Sequence, residues 1–443
     1  MENILKSSFT CSCGRTHATD LKKVVIKNGA LREIPALIRE GGFKKAFLAA
    51  DRNTYAAAGR QLEQILDNAG IAYSTLIYPD PALVPDEYAL GRFVVHFDSD
   101  CDVIIAVGSG TLNDLARFIS FRLRIPYIVA AAAPSMDGYA STVAPLITNN
   151  MKITYEAKVP WAIVADLDII AKSPQEMIAA GFGDILGKIT AAVDWQLSAL
   201  INDEYYCPEV AALMKSALDS TLALRNDLQN RDSTALQSLM EALVISGVAM
   251  SFVGNSRPAS GAEHHLSHYW EMQYLSAGKE PVLHGTKVGV ATRLVVKLHE
   301  YLRQEGLNSE AVLTLPHEFN REFWVQEIKR VYGQAAQEVL DLEETSGKND
   351  LQERNHRLQV IAQNWNEIHE LISTLPSSDE IAELLSAAGG AVYPRQIGLT
   401  YDLVRDGLLY AKELRNRYTI LQLLWDLGLL EKYAARIAEK EVF

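Results

Sequence analysis

Histidine is scarce in this chain, ten among 443 residues, yet His264, His265, His268 and His284 crowd between positions 264 and 284. In Ser260-Gly-Ala-Glu-His-His-Leu-Ser-His268, His264 and His268 stand at i and i+4, a spacing that puts two imidazoles on one face of a helix. His284 follows in Val282-Leu-His-Gly-Thr-Lys287. A carboxylate with open space around it occurs at Asp184, among the glycines of Gly181-Phe-Gly-Asp-Ile-Leu-Gly-Lys188, although a helix-terminal Asp fits the same pattern. Neutral imidazoles with a carboxylate suit Zn²⁺, Ni²⁺ or Fe²⁺ and leave a coordination position for substrate. The spacing is not His-Glu-x-x-His, so a zincin-type protease is not indicated. Cys11-Ser-Cys-Gly-Arg-Thr-His17 also has ligand-type residues, but no second Cys pair follows, and it reads as an exposed loop without a fourth ligand.

A second kind of chemistry is signalled where an apolar run meets glycine, in Asp102-Val-Ile-Ile-Ala-Val-Gly108-Ser109-Gly110-Thr111-Leu112-Asn-Asp114. A strand passing through such a turn into a helix offers backbone N–H groups and the positive end of a helix dipole, a natural seat for a pyrophosphate. The spacing differs from G-x-G-x-x-G, so a tight turn without a ligand is the competing reading. Asp51, after the apolar run Ala46–Ala49, either accepts hydrogen bonds from ribose hydroxyls, which favours NAD, or caps the turn Asp-Arg-Asn-Thr. Ala131-Ala132-Ala133-Pro134-Ser135-Met136-Asp137-Gly138 leaves room for a flat ring or small substrate beside the backbone. Asp137 there is either a substrate ligand or half of a plain Asp-Gly turn.

Elements must hold these groups in place. Short β-branched runs at Val24–Ile26, Ala46–Ala49, Ala72–Ile77, Val103–Val107, Tyr127–Ala131 and Trp161–Ala165 alternate with helical spacing at Tyr55–Ala69, Glu87–Phe97 and Thr111–Phe121. Apolar strands alternating with helices predict an α/β, Rossmann-like parallel sheet covered on both faces. After about residue 172 the strand signals stop. Ser173-Pro-Gln-Glu176 opens a helical pattern, broken at Gly254–Pro258, Gly278–Pro281 and Ser346–Asn349. The expected division is 1–171, a dinucleotide-binding α/β domain, and 172–443, an all-helical domain for metal and substrate. The polar stretch Glu343–Arg357 reads as a solvated helix or loop.

Composition sets limits. The net charge of −13 argues against a nucleic-acid surface and a polybasic membrane anchor, while leaving room for a small basic pocket for one phosphate group. Four cysteines are too few for a disulfide scaffold, so a reducing cytoplasm is expected. The N-terminus lacks the apolar run of a signal peptide, and no stretch approaches the ~18 consecutive apolar residues of a membrane span.

Taken in order, Gly108–Asp114, Ala133-Pro-Ser-Met-Asp-Gly-Tyr-Ala-Ser141, Gly181–Lys188, Ser256-Arg-Pro-Ala-Ser-Gly-Ala-Glu-His-His-Leu-Ser-His268 and Leu283–Lys287 resemble the iron-containing alcohol dehydrogenase, glycerol dehydrogenase and dehydroquinate synthase superfamily. Within it, the likeness is to the bacterial sn-glycerol-1-phosphate dehydrogenase branch, and it runs from about residue 20 to about residue 300. The resemblance implies a nucleotide and a divalent metal (Zn, Ni or Fe), and reversible NAD- or NADP-dependent reduction of dihydroxyacetone phosphate to sn-glycerol 1-phosphate. It implies Asp184, His264 and His284 as metal ligands, and Asp137, His268 and Asp184 as groups touching substrate. Dinucleotide positions fall on Asp51, Gly108, Ser109, Gly110, Thr111, Leu112, Ala132, Ala133, Pro134, Ser135 and Ser141. Ala132 stands where such relatives usually carry Thr, so a hydroxyl contact is missing and the choice between NAD and NADP stays open. Arg257, Lys188 and Lys287 are the nearby cations for a substrate phosphate. A homodimer acting on a phosphorylated triose, with neither nucleic acid nor membrane as partner, is expected. The same fold also serves polyol dehydrogenases and dehydroquinate synthase-like cyclases, but 256–288 holds only Arg257, Lys279 and Lys287 as cations, which favours a small substrate.

Overall fold

The computed structural model describes residues 9–80, 82–148 and 151–442. By contacts the chain forms two compact units, Met1–Ile185 with Glu209–Ser256, and Leu186–Pro208 with Arg257–Phe443.

The first unit is built on strands β1 (Phe9–Thr10), β2 (Thr16–His17), β3 (Lys23–Lys27), β4 (Lys45–Asp51), β5 (Ala72–Tyr78), β6 (Val103–Gly108), β7 (Tyr127–Ala131), β8 (Val143–Thr148), β9 (Met151–Glu156) and β10 (Ala162–Asp166). Six of them form one sheet, ordered β3-β10-β7-β6-β4-β5, and every neighbouring pair in it is parallel. The inner strands β6, β7 and β10 are buried along their whole length, as Val-Ile-Ile-Ala-Val and Tyr-Ile-Val-Ala-Ala require when both faces are covered. The edge strands β3 and β5 stay partly exposed. All six strands expected from the sequence are present, with ends that agree to within two residues. The hairpins β1–β2 and β8–β9 were not anticipated: β1 and β2 have two residues each, β8 contains Pro145, and β9 carries Lys152 and Glu156. From β4 the chain moves outward to β5, then returns across β4 to β6, so the winding direction reverses between β4 and β6.

The helices of this unit used below are α1 (Ile34–Glu40), α2 (Arg60–Ala69), α3 (Glu87–His96), α4 (Gly110–Leu123) and α5 (Gln175–Leu186). Beyond them come α6 (Lys188–Asn202), α7 (Pro208–Ala223), α8 (Ser233–Val253), α9 (Ala262–Ser276) and α10 (His284–Gln304), and every described element after Asp166 is helical. By length and composition α8 could cross a membrane, but 67% of its most apolar window is buried inside the protein, and it packs on Gly138–Ala140 and β3 as a core helix.

The second unit is wholly helical. Helix α10 buries Val288, Ala291, Val295, Leu298 and Leu302, spaced three and four residues apart, and α9 packs against it with Leu266, Tyr269 and Trp270 in the same core. The stretch Glu343–Arg357 has a solvated face and a buried one: Glu344, Thr345, Glu353 and His356 are exposed, whereas Glu343, Lys348, Asn349, Arg354 and Arg357 are buried. Asn349 donates to Glu413 and Arg357 to Asp426, partners more than sixty positions away that no local pattern can reveal.

Candidate functional site

In the sheet unit, the candidate nucleotide residues fall on one edge. Parallel register sets Ala50 opposite Val107, and Gly108 opposite Ala131. The carboxyl ends of β4, β6 and β7 therefore deliver Asp51, the Gly108–Leu112 turn and Ala132–Ser135 side by side at the reversal of winding, where open α/β sheets bind ligands. The Ala132 N–H donates to the Gly108 carbonyl at 3.1 Å, tying two of these loops together. At Gly108 a Cβ would collide with the Leu112 side chain, so this glycine lets α4 start directly above its strand. Leu112 is buried beneath the turn, so its side chain serves packing. Ser109 occupies the N-cap of α4 without a side-chain cap, which leaves the helix terminus to external acceptors. This donor set fits a dinucleotide pyrophosphate.

Asp51 takes the capping role that the sequence allowed. One carboxylate oxygen accepts from the Thr54 N–H at 2.8 Å, completing a capping box, while the residue still ends the strand beside the Gly108 turn.

Next to this edge, Asp137, Ser135 and Ser141 are all buried. The Ser141 hydroxyl is engaged at 3.1 Å by the Val143 N–H. Asp137 Oδ2 accepts from the Ser246 hydroxyl at 2.8 Å, and its N–H donates to Asp184 Oδ2 at 3.0 Å, which orients the fully buried Asp184 carboxylate. The close approach of α5 explains Gly181, since a Cβ there would overlap the Pro134 carbonyl. Sequence reading missed two residues here. Buried Arg117 donates to the carbonyls of Gly138, Tyr139 and Val143 and to the Tyr127 hydroxyl, fixing the loop that carries Asp137. Ser246 lies on α8, where neither spacing nor composition marks it.

In the helical unit, α9 and α10 bring together His264, His268 and His284. Ring centroids are 6.1 Å apart for His264–His268, 5.3 Å for His264–His284 and 5.6 Å for His268–His284. Glu263, which sequence reading passed over, is fully buried and orients the first of them. Its Oε1 accepts from His264 Nδ1 at 2.7 Å and from the Gly261 N–H at 2.6 Å, and its Oε2 accepts from the Thr190 hydroxyl at 2.7 Å. Burial works against the Glu263 charge, but these hydrogen bonds outweigh it and hold the carboxyl below its ordinary range. With Nδ1 bonded to a carboxylate, His264 presents Nε2, the usual arrangement around a metal-binding imidazole. The donor chemistry thus fits a divalent cation.

The three candidate phosphate cations are already engaged. Arg257 is paired with Glu204 and donates to Ser198 and the Tyr418 carbonyl; Lys188 donates to the Ala259 carbonyl at 2.9 Å; Lys287 donates to the Val282 carbonyl at 3.0 Å. Cys11 and His17, expected in an exposed loop, are buried.

The iron-containing alcohol dehydrogenase family matches residues 25–174. The chain is 36% identical to the glycerol-1-phosphate dehydrogenase (NAD(P)+) of Halalkalibacterium halodurans, over 96% of this chain and 98% of that one. It is 33% identical to the protein of the same name from Bacillus subtilis, over 95% of each chain. Among solved structures, the NADH-dependent butanol dehydrogenase A of Thermotoga maritima aligns with TM-score 0.61 at 14% identity, over 97% of this chain and all of that one. Glycerol dehydrogenase from Schizosaccharomyces pombe aligns with TM-score 0.58 at 16% identity, over 96% and 93%. These two show the fold alone.

Proposed function

The chain belongs to the glycerol-1-phosphate dehydrogenases of the iron-containing alcohol dehydrogenase family, and from that premise we propose that it interconverts dihydroxyacetone phosphate and sn-glycerol 1-phosphate with NAD(P) and one divalent metal ion. The observation that carries this reading is end-to-end similarity to relatives of that name.

For the metal we propose Asp184, His264 and His284. Each offers one ligand atom, and the three atoms lie within 4.8 Å of one another. For the dinucleotide we propose Asp51, the Gly108–Leu112 turn, Ala132–Ser135 and Ser141. When bound, NAD(P)H supplies a hydride and the metal supplies Lewis-acid polarisation of the substrate oxygen. The protein's part is positioning and proton traffic. Glu263 holds the tautomer of His264. The Asp137 N–H fixes the Asp184 carboxylate, and Ser246 fixes the Asp137 side chain, which is proposed to take a substrate hydroxyl. His268, beside both ligand imidazoles, is proposed to hold the proton that the new alcohol acquires.

Replacing His264 and His284 with Ala tests the assignment. One equivalent of bound metal and NADH oxidation by dihydroxyacetone phosphate should both be lost, with dihydroxyacetone as the unphosphorylated control. Unchanged metal content with undiminished turnover would overturn it.

A further inference from the structure

We propose that Cys11, Cys13, His17 and Cys207 form a second metal site, a closed structural zinc site separate from the ligands named above. Each of the four offers one ligand atom, and all four atoms lie within 4.8 Å of one another. Cys11 is 5% exposed, and His17 and Cys207 are fully buried.

The local fold prepares these groups. Strands β1 and β2 pair antiparallel, and the turn between them is closed by the Cys11 N–H on the Arg15 carbonyl at 2.9 Å and the Gly14 N–H on the Cys11 carbonyl at 3.0 Å. Gly14 has φ +82°, a conformation that favours glycine, and it lets the chain fold back so that both cysteines and His17 face one point. The Cys13 N–H donates to Cys11 Sγ at 3.4 Å, a contact that supports negative charge on sulfur. Cys13 Sγ lies 3.4 Å from His17 Nε2. A tetrahedral ion with Zn–S about 2.3 Å and Zn–N about 2.0–2.1 Å separates such a pair by about 3.5 Å. His17 Nδ1 donates to the Phe252 carbonyl at 2.9 Å, which leaves the lone pair on Nε2, facing Cys13.

Cys207 closes the set. It stands two residues before Glu209, whose carboxylate accepts from the Ser12 N–H at 3.3 Å and the Ser12 hydroxyl at 3.0 Å. That contact secures the turn carrying Cys11 and Cys13 beside the chain just after Cys207. Three sulfurs and one imidazole are soft donors that select zinc over the hard cations. Four protein ligands fill a tetrahedron and leave no position for substrate, so the role is structural. On binding Zn²⁺ the three thiols lose their protons to solvent, giving a site of net charge −1 with no redox change. The ion would clip the N-terminal hairpin to the segment around residue 207.

Elemental analysis of the full-length protein, together with absorption after Co²⁺ replacement, tests this. Two equivalents of metal per chain are expected in the wild type. The Cys13→Ser and Cys207→Ser variants should each lose one and keep the other. The cobalt form should show a near-ultraviolet thiolate-to-metal charge-transfer band that survives His284→Ala and disappears in Cys13→Ser. A wild-type cobalt form without that band overturns the proposal, even if the cysteine variants fail to fold. So does an intact mass showing a disulfide among these cysteines. Loss of metal in His284→Ala with the band retained concerns only the other ligand set, so failure of either assignment is read separately.

Discussion

The two units bury charge for different purposes. Beneath the sheet unit's ligand edge the core is apolar, drawn from β4, β6, β7, β10 and the helices against them. Its buried ionic groups serve nearby backbone: Arg117 gathers the carbonyls of residues 138–143, and Asp166 accepts from the N–H groups of Gly29 and Leu31. The helical unit instead joins distant helices through buried ion pairs. Arg357 meets Asp426 at 2.6 Å, Lys348 meets Glu413 at 3.2 Å, and Arg293 is paired with Glu441. Burial pushes the Glu413 carboxyl up, but Lys412, Lys348 and Asn349 overcome it and bring it down to about 2. A sheet gains its cohesion from the backbone ladder and needs only apolar faces. Helices have no such ladder between them, and here pairs of charges fix their mutual register. A buried pair is a poor source of net stability, but a severe loss when half is removed.

The largest expected effect follows from that asymmetry. Asp426 accepts from Arg357 Nε at 2.8 Å and Nη2 at 2.6 Å, and from the Tyr418 hydroxyl at 2.8 Å. Asp426→Ala strands a buried guanidinium and should cost about 3–5 kcal/mol. Five of the six tryptophans lie in the helical unit, so urea unfolding followed by tryptophan fluorescence reads that unit selectively. A loss below about 1 kcal/mol would mean the pair does not organise the helices.

A smaller effect, again confined to the helical unit, concerns His299. Its ring is fully buried, and neither nitrogen has a hydrogen-bond partner among the described residues. Burial, followed by the charge of Arg303, pushes it down from 6.5 to about 3. Because the folded pKa lies below the unfolded one, the unfolded chain binds the proton first as pH falls. Stability is therefore lost from about pH 6.5 downward, by up to about 1.4 kcal/mol per pH unit for one group. His299→Leu keeps the volume and should flatten that slope with little change at neutral pH. Urea midpoints between about pH 7 and about pH 5 measure it, and an unchanged slope would place the acid sensitivity elsewhere.

The same contrast explains what could be read from sequence. The six sheet strands and the Gly108 turn are legible because each is a local signal: an apolar run, a glycine, a helix start. His264 and His268 of α9 are legible because i, i+4 spacing is local too, and His284 of α10 because histidine is scarce elsewhere in the chain. Glu263 sat beside His264 in plain view, but its role depends on a rotamer that spacing does not encode. Ser246 and Arg117 act on Asp137 and its loop from 109 and 21 residues away, respectively. Cys207 lies far along the chain from Cys13, so the N-terminal cluster looked one ligand short. In Glu343–Arg357 the solvated positions follow from polarity, but the buried ones do not, because Asn349 and Arg357 find their partners in Glu413 and Asp426.

The finest test returns to the sheet unit, where a single strand end is expected to carry both structure and selectivity. Asp51 caps the chain with one oxygen and stands beside the Gly108 turn. A carboxylate there accepts from a ribose 2′-hydroxyl and repels a 2′-phosphate. Asp51→Ser keeps a good N-cap, so stability should change by less than about 1 kcal/mol. It removes the charge, so the ratio of kcat/KM for NADH over NADPH should fall about tenfold, equivalent to about 1.4 kcal/mol. An unaltered ratio with unaltered stability would reduce Asp51 to its capping role. A fall in the ratio without loss of stability would separate the two functions that one side chain combines, a separation the ion-paired helical unit does not allow, because removing one buried charge there strands its partner.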